Sequence, residues 1–152
     1  MEENTNEENL VEKAENILTS YGHTKYMDIH IRSLEPGRVT GIMNISEKQR
    51  NFMDNVHGGA LFSFADTLAG IVSASEGFGG VTAQGSMNFI AGAKGDRITG
   101  EAEIIKNGRS LIYIEVHIKD EEDKLCATAS FVYYRNGDKY DRCKNENNQK
   151  TS

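Results

Sequence analysis

The stretch "NVHGGALFSFADTLAG", residues 55–70, decides the fold. Small and aromatic residues occupy it all round, and a helix apolar on every side needs cover on every side. A pair of glycines, Gly58 and Gly59, stands at its mouth. One carboxylate, Asp66, sits in its middle, with no Lys or Arg between 55 and 75 to neutralise it.

Four strand-like runs follow this helix, at about 81–90, 96–106, 110–119 and 125–134. The third has the clearest pattern. Ile112, Ile114, Val116 and Ile118 alternate with Tyr113, Glu115, His117 and Lys119, a period of two with one dry face and one wet. Asn107-Gly108 between two such runs signals a hairpin, and "DEED" at 120–123 signals the next turn. Ahead of the helix, "EPGR" at 35–38 joins strand-like runs at 27–34 and 39–45, with Gly37 suited to a type II turn. Leu10, Ala14, Ile17, Leu18 and Tyr21 recur at helical spacing, which predicts a short amphipathic helix over 6–21 with Gly22 as its stop. Short links favour antiparallel pairing. The expectation is therefore α+β: an N-terminal helix and acidic lead over 1–25, a domain over 26–136 whose antiparallel sheet wraps the long helix, and a polar, frayed tail over 137–152.

At 152 residues the chain is long enough for one core and not for two. Its net charge of −6, with acids crowded at the start, argues against nucleic-acid binding, which wants clustered Lys and Arg. No run approaches the roughly 20 apolar residues of a membrane span, and the acidic start lacks the apolar core of a signal peptide. Two cysteines, Cys126 and Cys143, form no disulfide framework, and the four histidines show no ligand spacing. The expected protein is cytoplasmic, reduced and metal-free.

Gly58 and Gly59 at a helix entrance leave backbone N–H groups open to close approach. With the positive end of the helix dipole, those donors suit an anion or a developing oxyanion; equally, they let the chain turn tightly against a sheet. A buried Asp with no cation costs several kcal/mol, so Asp66 reads better as a group facing a cleft, a general base or nucleophile. His57 reads as a brace for the loop through a hydrogen bond. Thr82 and Asn51 are ambiguous by themselves.

The spacing of Asn51, His57, Gly58, Gly59 and Asp66 resembles the hotdog-fold acyl-CoA thioesterases, in the phenylacetate-degradation and thioesterase-superfamily-member branch. The similarity runs on through "VTAQGSMNFIAGAKGD", "KNGRSLIYIEV" and "KLCATASFVYY". It implies a hotdog fold and an acyl-CoA substrate, with coenzyme A part of that substrate and no further cofactor. It also implies a homodimer or dimer of dimers. By position, Asp66 matches the general base or nucleophile and the Gly58 N–H matches the oxyanion donor. Asn51 and His57 match residues that orient substrate or brace that donor, and Thr82 matches a hydroxyl near the attacking water. Lys106, Gly108, Arg109 and Ser110 match a segment that contacts the coenzyme A nucleotide. Phe62, Phe64, Met87 and Phe89 lie near this chemistry and imply an apolar acyl group, aryl or of medium length. Two positions depart from the pattern: Asp54 stands where Gly is usual, and Gly92 where Pro is. Two other readings exist on this fold, a dehydratase or hydratase and a non-catalytic acyl-CoA sensor. His57 is tied into "HGG" and no second proton-handling residue is evident, which disfavours the first; the short acidic lead disfavours the second.

Overall fold

The computed structural model describes the backbone from Glu2 to Lys139, and the side chains of residues 8–136 other than residue 78. In chain order the elements are α1 (Glu2–Ser20), α2 (Gly22–Met27), β1 (Ile29–Glu35), β2 (Arg38–Asn44), a single 3₁₀ turn (Glu47–Gln49), α3 (Gly58–Ala74), β3 (Phe78–Phe89), β4 (Arg97–Asn107), β5 (Leu111–Lys119) and β6 (Leu125–Lys139). The six strands form one sheet in the order β1-β2-β4-β5-β6-β3, antiparallel at every pair. Of the expected tail, residues 140–152 lie outside the described residues.

The long helix is where the sequence places it, and it packs on all six strands. Leu61, Phe64, Ala65, Leu68, Ala69 and Val72 are buried on it, and the dry face of β5 (Ile112, Ile114, Val116, Ile118) meets the same core. Two glycines set how deep the helix sits. Gly41 of β2 and Gly100 of β4 face each other across the sheet. A Cβ on Gly41 would lie 2.6 Å from one Leu68 methyl, and one on Gly100 would lie 2.5 Å from the other and 2.7 Å from the Phe64 ring. Only bare backbone there lets these side chains seat against the sheet.

Four local expectations need correction. Gly22 does not end helical structure: α1 stops at Ser20 and Gly22 opens the short α2. Met27 therefore belongs to α2, and Asp28, at φ 57°, turns the chain into β1; an aspartate tolerates that left-handed conformation better than most residues. Tyr21, expected on the dry face of α1, is exposed. The β4–β5 hairpin forms where Asn107-Gly108 signals it, but Asn107 closes β4 rather than lying in the link. Asn107 pairs with Ile112, the Gly108 N–H donates to the Leu111 carbonyl at 2.9 Å, and the connection between the strands is 108–110. Gly108 is there for room, since a Cβ would come within 2.4 Å of that carbonyl oxygen.

The last correction concerns cover. The sheet does not surround α3 completely: Ser63, Asp66, Thr67 and Gly70 stay half-buried and Phe62 is exposed along one strip. That strip carries the acid.

Away from the helix, the buried Asp120 ties the β5–β6 turn to the loop after β3. Its carboxylate accepts from the Glu122 and Lys124 N–H groups and, across the turn, from the Lys94 N–H at 3.1 Å. Burial alone would raise its carboxyl, but the Lys94, Lys124 and Glu122 donors and the Lys124 ammonium, 3.5 Å away, outweigh that and hold it below the ordinary aspartate value. Its contribution to stability is then complete above the unfolded carboxyl value of about 3.9 and is lost as pH falls through the lower folded value. In thermal unfolding followed against pH, the wild-type melting temperature should fall more steeply below pH ~4 than that of Asp120→Asn, which keeps an acceptor but no titrating charge. Parallel curves would deny Asp120 that role.

Candidate active site

Asp66 projects from the uncovered strip of α3 toward the last two strands of the sheet. Residues four apart on a helix stack on one face, and the row Phe62, Asp66, Gly70 meets β3 and β6. The Phe62 ring packs edge-on against Phe131 with centroids 5.3 Å apart. The Thr82 hydroxyl donates to Asp66 Oδ1 at 2.7 Å. The Tyr133 hydroxyl lies 2.8 Å from the same Oδ1 and 2.8 Å from the Asp66 carbonyl oxygen. Thr82 and Tyr133 reach one atom because they are directly paired across β3 and β6. A bulge follows at once, with Ala83 left unopposed between the Thr82 and Gln84 pairs; bulges re-aim neighbouring side chains.

The acid therefore has partners, but they are hydroxyls. Among the described residues no cation pairs with Asp66, and Oδ2 carries no hydrogen bond. One oxygen is held and the other is open to react. Tyr133 was not legible as a site residue. Its hydroxyl is pushed well above the ordinary phenol range, by burial first and by the Asp66 charge beside it, so it stays a neutral donor.

The mouth of α3 is a separate cluster. His57 is the N-cap, and its Nδ1 accepts from the Gly59 N–H at 2.8 Å, the bracing role expected of it. The Ala60 and Leu61 N–H groups go to the His57 carbonyl. The Gly58 N–H has no acceptor among the described residues, at the positive end of a 17-residue helix. The Phe89 ring lies over Gly58, 3.2 Å from where a Cβ would be.

Asn51 shapes the loop before the mouth. Its side-chain oxygen accepts from the Met53 and Asn55 N–H groups at 2.9 and 3.1 Å, closing a tight turn. Asp54, the departure from the family pattern, has φ 61°, the conformation that a glycine adopts most easily. Its charge does not stand alone, because the Arg50 guanidinium lies beside it and also binds Asp96 at 3.0 Å. Phe52 at the tip of this loop is 96% exposed. Gly92, the second departure, has no contact closer than 3.7 Å to a Cβ built on it.

The exposed hairpin residues Lys106, Arg109 and Ser110 lie at the other end of α3, with the half-buried Gly108. Asn107 binds Glu76, just past the helix, and the Ser110 carbonyl accepts from the Arg135 N–H at 2.8 Å. The chain thus joins Asp66 to Thr82 and places His57 and Asn51 around Gly58. It does not bring Gly58, eight residues back along the helix, to Asp66, nor the hairpin to the mouth. Of the large apolar residues near the chemistry, Phe64 is wholly core, while Phe62 and Phe89 are exposed and Met87 is half-buried.

Comparison with known proteins converges on one family. Residues 53–127 match the thioesterase superfamily model. Acyl-coenzyme A thioesterase PaaI of Escherichia coli K12 is 28% identical over 104 residues, 68% of this chain and 74% of that protein. The solved structure of E. coli PaaI superposes with a TM-score of 0.78, covering 86% of this chain and 98% of that one at 24% identity. A hypothetical thioesterase protein from Streptococcus pneumoniae TIGR4, solved with coenzyme A, is 29% identical over 73% of this chain and 90% of its own, with a TM-score of 0.70. Variants of that protein replace an aspartate and a threonine 16 positions apart by alanine, the separation of Asp66 and Thr82 here. The chain is a PaaI-like member of the thioesterase superfamily with the hotdog fold.

Proposed function

We propose that this thioester hydrolase cleaves acyl-CoA at a site built by two copies of the chain, with Asp66 from one and Gly58 from the other. The observation that carries the reading is the Asp66 carboxylate, free of any cation among the described residues, with Oδ1 held by the Thr82 hydroxyl at 2.7 Å and Oδ2 open. The PaaI relative is an acyl-CoA thioesterase and the S. pneumoniae relative holds coenzyme A, which support the substrate class.

In this mechanism the Gly58 N–H donates to the thioester carbonyl oxygen and binds it more strongly as negative charge develops there. Asp66 Oδ2 either takes a proton from the attacking water or attacks the carbonyl carbon itself. The carbon–sulfur bond breaks and the coenzyme A thiolate leaves without needing a strong acid; on the second route the acyl group is left on Asp66 as an anhydride, which water then hydrolyses to the free acid and the carboxylate. Thr82 keeps the carboxylate in place, and no cofactor takes part. Arg109 and Lys106 on the hairpin suit the nucleotide phosphates, Arg through a planar fork of donors. Phe62, Met87 and Phe89 line the approach for an apolar acyl group. Cytoplasmic acyl-CoA is the proposed source of substrate.

Sharing the site between copies follows from helix geometry. Eight residues at 1.5 Å each separate Gly58 from Asp66 by about 12 Å along α3, yet both must reach one carbonyl group. Two antiparallel helices about a two-fold axis put the mouth of one beside the middle of the other. The edge strand β3 favours such a pairing: it is 12 residues long, has no sheet neighbour on its outer side among the described residues, and exposes Val81 and Phe89.

Four measurements test this reading. Thiol release from acetyl, medium-chain, long-chain and aryl thioesters of coenzyme A should show turnover with preference for apolar acyl groups. Asp66→Asn, with the fold intact, should cut kcat by roughly 10²-fold or more; wild-type turnover in that variant would remove Asp66 from the chemistry. Arg109→Ala should raise KM with little change in kcat, as expected for uniform binding to a remote group, and an unchanged KM would return the hairpin to an ordinary solvated surface. Finally, inactive Asp66→Asn mixed with an inactive variant damaged in the 51–58 loop should regain activity once subunits exchange, since a hybrid dimer holds one intact site. Verified exchange without recovery would confine the site to one chain.

A further inference from the structure

We infer that Tyr133 is the positioning residue that fixes which oxygen of Asp66 reacts, and that Gly70 is present in α3 to admit its hydroxyl. This rests on the reading of Asp66 as the reacting carboxylate.

A carboxylate on a helix turns about its last side-chain bond, and its two oxygens are chemically equivalent until something distinguishes them. The Thr82 hydroxyl contacts Oδ1 from an exposed position on an edge strand. Tyr133 approaches the same Oδ1 from the buried side, 4% exposed and fixed by its place in β6. Its phenol also lies 2.8 Å from the Asp66 main-chain carbonyl, so one rigid ring registers both the backbone and the side chain of the acid. Desolvation keeps the proton on the phenol, so it donates and does not compete for charge.

The helix is built to admit this contact. Glycine in a helix interior is disfavoured by roughly 1 kcal/mol relative to alanine, and Gly70 stands in the interior of α3. A Cβ there would lie 3.2 Å from the Tyr133 hydroxyl oxygen, its closest contact, with the ring carbons at 3.7 and 3.8 Å. A methyl at position 70 would thus press on the hydroxyl and hardly on the ring.

The consequence is a division of labour on one carboxylate. With Oδ1 bound by Thr82 and Tyr133, only Oδ2 can approach water or a thioester carbon without giving up a hydrogen bond. Tyr133 makes no proposed contact with substrate; it acts through Asp66.

The test is a double-mutant cycle read as separate kcat and KM values, with folding checked by thermal unfolding. Tyr133→Phe keeps the ring and removes the hydroxyl. In the wild-type background it should lower kcat about tenfold, the loss expected for one hydrogen bond to a charged group, with KM for the acyl-CoA substrate nearly unchanged. In the Asp66→Asn background it should lower kcat no further, because its effect runs through Asp66. Gly70→Ala supplies a second approach that leaves the tyrosine in place. It should reduce kcat in the wild type while favouring the helix, and reduce it no further once Tyr133→Phe has removed the hydroxyl. A wild-type kcat for folded Tyr133→Phe, or an equal loss in both Asp66 backgrounds, overturns the role of Tyr133. If Tyr133→Phe does not fold, a wild-type kcat for Gly70→Ala overturns it instead. Wild-type turnover by Asp66→Asn overturns the underlying reading, a result distinct from either.

Discussion

The depth at which α3 sits in the sheet governs the rest of the molecule. Leu68 and Phe64 seat against a sheet surface left bare by the facing Gly41 and Gly100. Because interiors are packed to crystal density, side chains larger than hydrogen at those positions would force the helix outward or displace its core residues. The same seating determines how far the opposite strip of the helix stands from β3 and β6. On that strip a few tenths of an ångström separate a hydrogen bond from a clash, as the contacts of Asp66 and Gly70 with Tyr133 show.

From this follows a contrast between the two faces of one helix. The inner face is dry and contributes stability through burial. The outer strip keeps a charged group half in solvent, with two hydroxyls in place of a counter-ion. A paired cation would give Asp66 a salt bridge and occupy its second oxygen. Hydroxyl donors stabilise the charge while leaving that oxygen accessible, a compromise suited to a reacting carboxylate.

Features carried by local pattern were legible in the sequence. The alternation of Ile112 to Ile118 gave β5 its faces, Gly37 takes the positive φ that "EPGR" requires, and a helix in the 55–70 stretch was evident from its small and apolar residues, although it runs from 58 to 74. His57 at the helix mouth was readable as a brace because an N-cap acts within three residues of its own position. Tyr133 was not readable, since its contact with Asp66 depends on strand register between β3 and β6, which no local spacing encodes. Gly22 misled for a related reason: a glycine is as compatible with a helix entrance as with an exit, and only the docking of α2 decides. Gly108 was legible as a hairpin residue, but the reason for a glycine there, room beside the Leu111 carbonyl, appears only in the fold.

Tyr133 meets Asp66 across 67 positions of chain. Contacts of such long separation close large loops and form slowly, after local hairpins have secured their own pairings. The β4–β5 and β5–β6 hairpins are local, whereas β3 joins the sheet only through β6, the last strand described. On a ribosome α3 therefore emerges well before the strand that completes its acid. Its apolar inner face must wait for cover, and the hydroxyl contacts on Asp66 form at the end of folding. Any partly folded species with β3 undocked would retain helix and hairpins by spectroscopy but lack both hydroxyls on the carboxylate. Under the role proposed for Asp66, recovery of turnover during refolding would report closure of the β3–β6 seam rather than collapse of the core.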